Sequence, residues 1–136
     1  MTPKIMFSGT TENQSGANGF ARSRDGLLDI RLPEPHPAAE NLFGAAWSAC
    51  FMSAIGFAAR QRDISLPQDP SIEATIDVLA QGGEYVLRAR LNVSVPGLGR
   101  ESAQELVDAA HEICPYSKAV KGNIEVALNL VEHQMA

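Results

Sequence analysis

The residues of this chain best suited to chemistry are its two cysteines, Cys50 and Cys114, 64 positions apart. A thiolate is both a strong nucleophile and a metal ligand. Two thiols brought side by side can cycle between dithiol and disulfide. Taken singly, a free cysteine behaves more often as a small buried hydrophobe. Cys50 stands between Ala49 and Phe51 in an apolar run, where burial raises a thiol pKa unless a cation is near. Cys114 precedes Pro115, at the point where one helix ends and a second begins. The negative end of the first helix disfavours a thiolate there and the positive end of the second favours one, so both behaviours stay open.

Other chemistries find less support. His111 and Cys114 share a helix face at i, i+3, but three histidines and no Cys-x-x-Cys pair make a thin metal-ligand set. Gly97-Leu98-Gly99 lacks the rest of a phosphate-binding loop, and no serine-nucleophile elbow occurs. Eleven basic against sixteen acidic side chains give a net charge of −5, the wrong sign for a binder that neutralises nucleic-acid phosphates. Two cysteines are too few for a disulfide-stapled secreted scaffold. After Met1-Thr2-Pro3-Lys4 the chain turns polar by Ser8-Gly9-Thr10, with no secretory h-region, so a reducing cytoplasm is expected.

The elements that must hold these residues can be read from periodicity. The 136 residues predict a single domain, 1–136, and 45% hydrophobic with 20% charged residues excludes wholesale disorder. Period-two alternation marks strands at Ile72–Ala80, Tyr85–Val95 and Ile124–Leu130, the first two joined through Gly82-Gly83 as a hairpin. A further hairpin is expected at Phe20–Ser23 and Leu28–Leu32 around Asp25-Gly26. A first helix runs from about Ala38 to Arg60, after Pro33-Glu34-Pro35-His36-Pro37. A second, Arg100 to Cys114, carries the stripe Ala103, Leu106, Val107, Ala110 and Ile113. A short helical turn, Pro115 to Lys121, follows and stops at Gly122. This order predicts an α+β fold with antiparallel sheets packed around a long central helix.

That helix has its own message. No charge occurs between Asn41 and Ala59, nearly enough to span a bilayer. Asn41, Ser48 and Ser53, with its many glycines and alanines, make it a poor membrane segment, so no membrane partner is expected. A helix apolar nearly all round is buried on most sides. A chain this short can hardly surround it alone, which predicts a homodimer.

Two segments carry a family resemblance over nearly the whole chain. Glu40-Asn41-Leu42-Phe43-Gly44-Ala45-Ala46-Trp47-Ser48-Ala49-Cys50-Phe51 resembles the Glu-Gln-Leu-Phe-Ala-Ala-Gly-Tyr-Ser-Ala-Cys-Phe stretch of the organic hydroperoxide resistance branch of the OsmC-like proteins. Cys114-Pro115-Tyr116-Ser117-Lys118-Ala119, followed by Lys121-Gly122-Asn123-Ile124-Glu125-Val126, is similar to that branch's second cysteine segment, at the same cysteine separation. The resemblance implies a cofactor-free thiol peroxidase built as an intertwined homodimer. Cys50 would attack the hydroperoxide, Cys114 would resolve the product as a disulfide, and a lipoyl-type dithiol would reduce it. Alkyl or fatty-acid hydroperoxides are the implied substrates, their tails against Phe43, Phe51, Met52 and Ile55.

Glu40 matches the family's catalytic glutamate. Ten helical residues separate it from Cys50 by about 15 Å, which leads to the expectation that two copies of the helix pack antiparallel through Gly44, Ala45 and Ala49. Glu40 of one copy would then approach Cys50 of the other. One departure stands out: the family's arginine position is Ala17 here, with Arg22 and Arg24 the nearest substitutes. Asn41 replaces a glutamine, and the proline-rich 33–37 segment replaces a glycine-rich one. The alternatives are a non-catalytic dimer binding an apolar small molecule, or a thiol redox sensor.

Overall fold

The computed structural model describes residues 2–132. The chain divides into two compact units, Met1–Ala39 and Glu40–Ala136. The first holds a three-stranded antiparallel sheet of β1 (Thr11–Gln14), β2 (Phe20–Ser23) and β3 (Asp29–Arg31), in that order. The β2–β3 hairpin is the one read from Asp25-Gly26; β1, polar and exposed throughout, gives no alternation and was not foreseen. Gly19 is required by close approach, since a Cβ there would collide with the Leu32 carbonyl.

The second unit is built on α1 (Ala39–Gln61), β4 (Ser71–Gln81), β5 (Glu84–Ser94), α2 (Arg100–Ile113), α3 (Pro115–Val120) and β6 (Glu125–Leu130). β4 and β5 pair antiparallel through a turn in which Gly82 and Gly83 take φ of +57° and +83°, a conformation glycine adopts at no steric cost. The sheet order is β4-β5-β6, and β6 runs parallel to β5. The expectation of purely antiparallel sheets is corrected here. Two helices lie between β5 and β6, and a crossover of that length returns the chain in its original direction.

Register explains which side of this sheet is apolar. Ile72 pairs with Val93, Ala74 with Leu91 and Ile76 with Ala89, while Val126, Leu128 and Leu130 continue the same rows on β6. The opposite side is polar: Asn129 donates to Asn92, Asn92 to Glu73, and Arg88 pairs with Asp77 at 2.8 Å. Against the apolar side lies the core, with Trp47, Phe51 and Ile55 of α1 and Leu106 and Val107 of α2 fully buried. At the hairpin's far end, Val78 and Tyr85 are exposed, so the alternation there is not matched by cover within the chain.

α1 is long and apolar enough to cross a membrane by length and composition, with a mean hydropathy of 1.6 over its most apolar window. Its buried residues, Gly44, Trp47, Ser48, Phe51, Ala54, Ile55, Ala58 and Ala59, form one face of a core helix. Asn41, Phe43, Ala45, Ala46, Ala49, Ser53 and Phe57 on the remainder are exposed.

Candidate active site

Cys50 lies on α1 one turn beyond Trp47, half-buried beside the core. Cys114 links α2 to α3 with an extended backbone, φ −61° and ψ 119°. It serves both helices at once. Its N–H donates to the Ala110 carbonyl at 2.8 Å, closing α2, and its carbonyl accepts from the Lys118 N–H at 3.0 Å, opening α3. Pro115 takes the first position of α3, where a missing N–H costs nothing.

This junction brings the thiols together. The Cys50 and Cys114 sulfurs stand 3.3 Å apart and both cysteines are free. Cys114 is fully buried, so of the two only Cys50 faces solvent in part. Burial pushes the Cys50 thiol above its ordinary value, as its apolar setting predicts, and the neighbouring Cys114 adds to the rise. The backbone N–H of Tyr116, directed at Cys50 from the first turn of α3, opposes it by hydrogen bonding to the thiolate.

A largely buried polar cluster that periodicity did not reveal joins the three helices that hold the pair. The indole N–H of Trp47 donates to Ser117 Oγ at 3.0 Å, and Ser117 Oγ lies 3.0 Å from His111 Nδ1. Phe51 packs on the His111 ring with centroids 6.1 Å apart. The available signal was spacing: Trp47 is three residues before Cys50, and His111 and Ser117 lie three before and three after Cys114. His111, weighed in the sequence as a metal ligand, thus directs its Nδ1 at a serine hydroxyl.

Other expected positions fall differently. Phe51 and Ile55 lie wholly inside the core, so of the expected substrate-tail residues only the exposed Phe43 and half-buried Met52 can meet a ligand. Gly44 faces β4, where a Cβ would come within 3.4 Å of Ala74 Cβ; it serves packing within the chain rather than contact between two α1 helices. Glu40, in the first turn of α1, borders a hollow of about 540 Å³ with Asn41, Ala45, Ala49 and Met52, faced by Ile76. In the first unit, Arg22 pairs with Asp29 at 3.2 Å and lies 4.0 Å over the Phe20 ring, both as expected for a strand-surface charge. Ala17 is exposed.

An α+β fold around one long helix, with a thiol on that helix facing a thiol at a two-helix junction, defines a class. The OsmC-like protein family model matches residues 32–129, and the chain belongs to that family. Within it, the chain falls in the organic hydroperoxide resistance branch. It is 34% identical to an organic hydroperoxide resistance protein of Xanthomonas axonopodis pv. citri, covering 93% of this chain and 96% of the relative. Among solved structures, OhrB of Bacillus subtilis, an organic hydroperoxide resistance protein, matches with a TM-score of 0.82 and 35% identity over 93% of this chain and all of its own. An organic hydroperoxide resistance protein from Legionella pneumophila gives a TM-score of 0.83 at 33% identity, covering 93% of this chain and 98% of that one.

Proposed function

We propose that the chain is a cysteine-based peroxidase that reduces organic hydroperoxides through a Cys50–Cys114 disulfide. The observation that carries this reading is the pair of free sulfurs 3.3 Å apart, one open to solvent and one buried. The names of the relatives supply the substrate class. The Cys50 thiolate attacks the terminal peroxide oxygen, the O–O bond breaks, and the alkoxide leaves as an alcohol after taking a proton. Cys50 is then a sulfenic acid. Cys114 attacks that sulfur, the S–O bond breaks, and the oxygen leaves as water. A dithiol of the lipoyl type returns both cysteines to thiols while becoming a disulfide itself. Attack and resolution use the chain's own two cysteines, and the external dithiol supplies the two reducing electrons.

The working unit in this reading is a homodimer. The exposed side of α1, with Ala45 and Ala49, supports seating a second copy antiparallel, bringing Glu40 of one copy toward Cys50 of the other. Glu40 would hold a cation against the thiolate, countering the burial that raises the thiol. Arg22 and Arg24 are the residues to examine for that charge, through paired replacement by alanine.

The test uses reduced protein and cumene hydroperoxide. Cys50→Ser is expected to abolish peroxide consumption. Cys114→Ser is expected to consume one equivalent and hold it as a sulfenic acid that dimedone labels, where the wild type goes on to the disulfide. Consumption by Cys50→Ser at the wild-type rate would reject the assignment. Retention of both thiols unchanged in the presence of hydroperoxide would favour the non-catalytic binder.

A further inference from the structure

The Trp47–Ser117–His111 cluster does more than satisfy buried groups. An indole N–H can only donate, so the Ser117 oxygen accepts from Trp47. The serine's own hydrogen is then available to His111 Nδ1, which accepts it when the ring proton sits on Nε2. Each participant sits on a different helix, and each is three residues from a cysteine: Trp47 from Cys50 on α1, His111 from Cys114 on α2, Ser117 from Cys114 on α3. Trp47 and Cys50 share a face of α1, while Cys114 caps α2 three residues after His111 and opens α3 three residues before Ser117, so the hydroxyl ties together the three helices that hold the two thiols.

The distance those ties set is chemically significant. Reacting atoms about 3–3.5 Å apart are in a near-attack arrangement, and the sulfurs are 3.3 Å apart. We infer that Ser117, through Trp47 and His111, is a positioning residue for disulfide closure, holding Cys114 at attack distance from the Cys50 sulfur. The inference rests on the proposed pairing of these thiols, and it is independent of the oxidant that initiates it.

That independence gives the test. With dithiobisnitrobenzoate, an aromatic disulfide, the Cys50 thiolate attacks one sulfur and releases one thionitrobenzoate. Cys114 then attacks the Cys50 sulfur of the mixed disulfide, forming the protein disulfide and releasing the second. The readout is the rate of second release relative to first. Ser117→Ala is expected to lower this ratio roughly ten- to a hundredfold, the range over which ångström-scale misplacement acts. Ser117→Thr, which keeps the hydroxyl, is expected to restore most of it. Far-UV circular dichroism and the urea midpoint verify folding in both variants, since the emission of Trp47 itself responds to loss of the Ser117 hydroxyl. Should Ser117→Ala fail to fold, Trp47→Phe removes the donor together with part of a buried ring while leaving Ser117 and His111 in place, and is expected to slow the second release in the same way. An unchanged ratio in a folded Ser117→Ala or in Trp47→Phe overturns the inference, as does Ser117→Thr behaving like alanine or a wild-type protein with no second release. A wild-type protein that closes with this reagent, but neither consumes hydroperoxide nor closes with it, contradicts the peroxidase reading alone.

Discussion

At Cys50 the surroundings oppose the charge that nucleophilic attack requires, since burial and the Cys114 sulfur both raise its pKa while only the Tyr116 N–H lowers it. With no cation beside the sulfur, alkylation accelerates with pH through a midpoint above the ordinary thiol range of about 8.5, and the cation that Glu40 of a second copy is proposed to hold would bring that midpoint down. A midpoint near neutrality would mean a cation sits beside the sulfur. The same shift has a consequence for stability. A folded state that holds the Cys50 proton more tightly than the unfolded chain gains stability below the ordinary thiol pKa and loses it as pH rises through the folded value. Urea midpoints measured from about pH 7 to about pH 10 should fall more for the wild type than for Cys50→Ala. This environment was legible in the sequence because Ala49 and Phe51 flank Cys50 inside an uncharged run. The Ser117 cluster was not, because its contacts join residues up to 70 positions apart and no local period encodes them.

Elements were legible where one face is buried and the other wet. The α2 stripe of Ala103, Leu106, Val107 and Ala110 is buried as its spacing predicts, and Cys114 ends that helix because of Pro115. β1 failed for the converse reason, since with every residue exposed it has nothing to alternate. The direction of β6 failed because a strand's pattern is the same read either way; only the intervening helices decide it. For α1, an all-round apolar sequence does not say which face meets the sheet, and Phe51 and Ile55 proved to be core rather than ligand contacts. Ile55 is wholly buried, so Ile55→Ala is expected to cost about 2–5 kcal/mol of stability in urea unfolding. A loss below about 1 kcal/mol would place that side chain outside a close-packed core.

For the molecule as a whole, the unfinished feature is the exposed side of α1. Ala45, Ala46 and Ala49 are small and exposed, and Ala45 and Ala49 line the hollow beside Glu40, on a helix whose other face is core. A second copy there is the proposed partner. Placing a buried, unpaired charge at such an interface is strongly unfavourable. Ala49→Arg is therefore expected to yield a monomer by sedimentation and to lose most peroxidase activity, while α1 and its buried face remain folded. A monomeric variant with full activity would remove Glu40 of the partner from the mechanism.

The chemistry proposed for Cys50 and Cys114 has a fixed stoichiometry. Reduced protein mixed with cumene hydroperoxide is followed by peroxide consumption and intact mass in the same sample. Expected are one cumyl alcohol formed per chain, a mass loss of two hydrogens, and a single disulfide joining the peptides that carry Cys50 and Cys114. Peroxide consumed with both thiols still reduced, or a disulfide joining two chains instead, would contradict it.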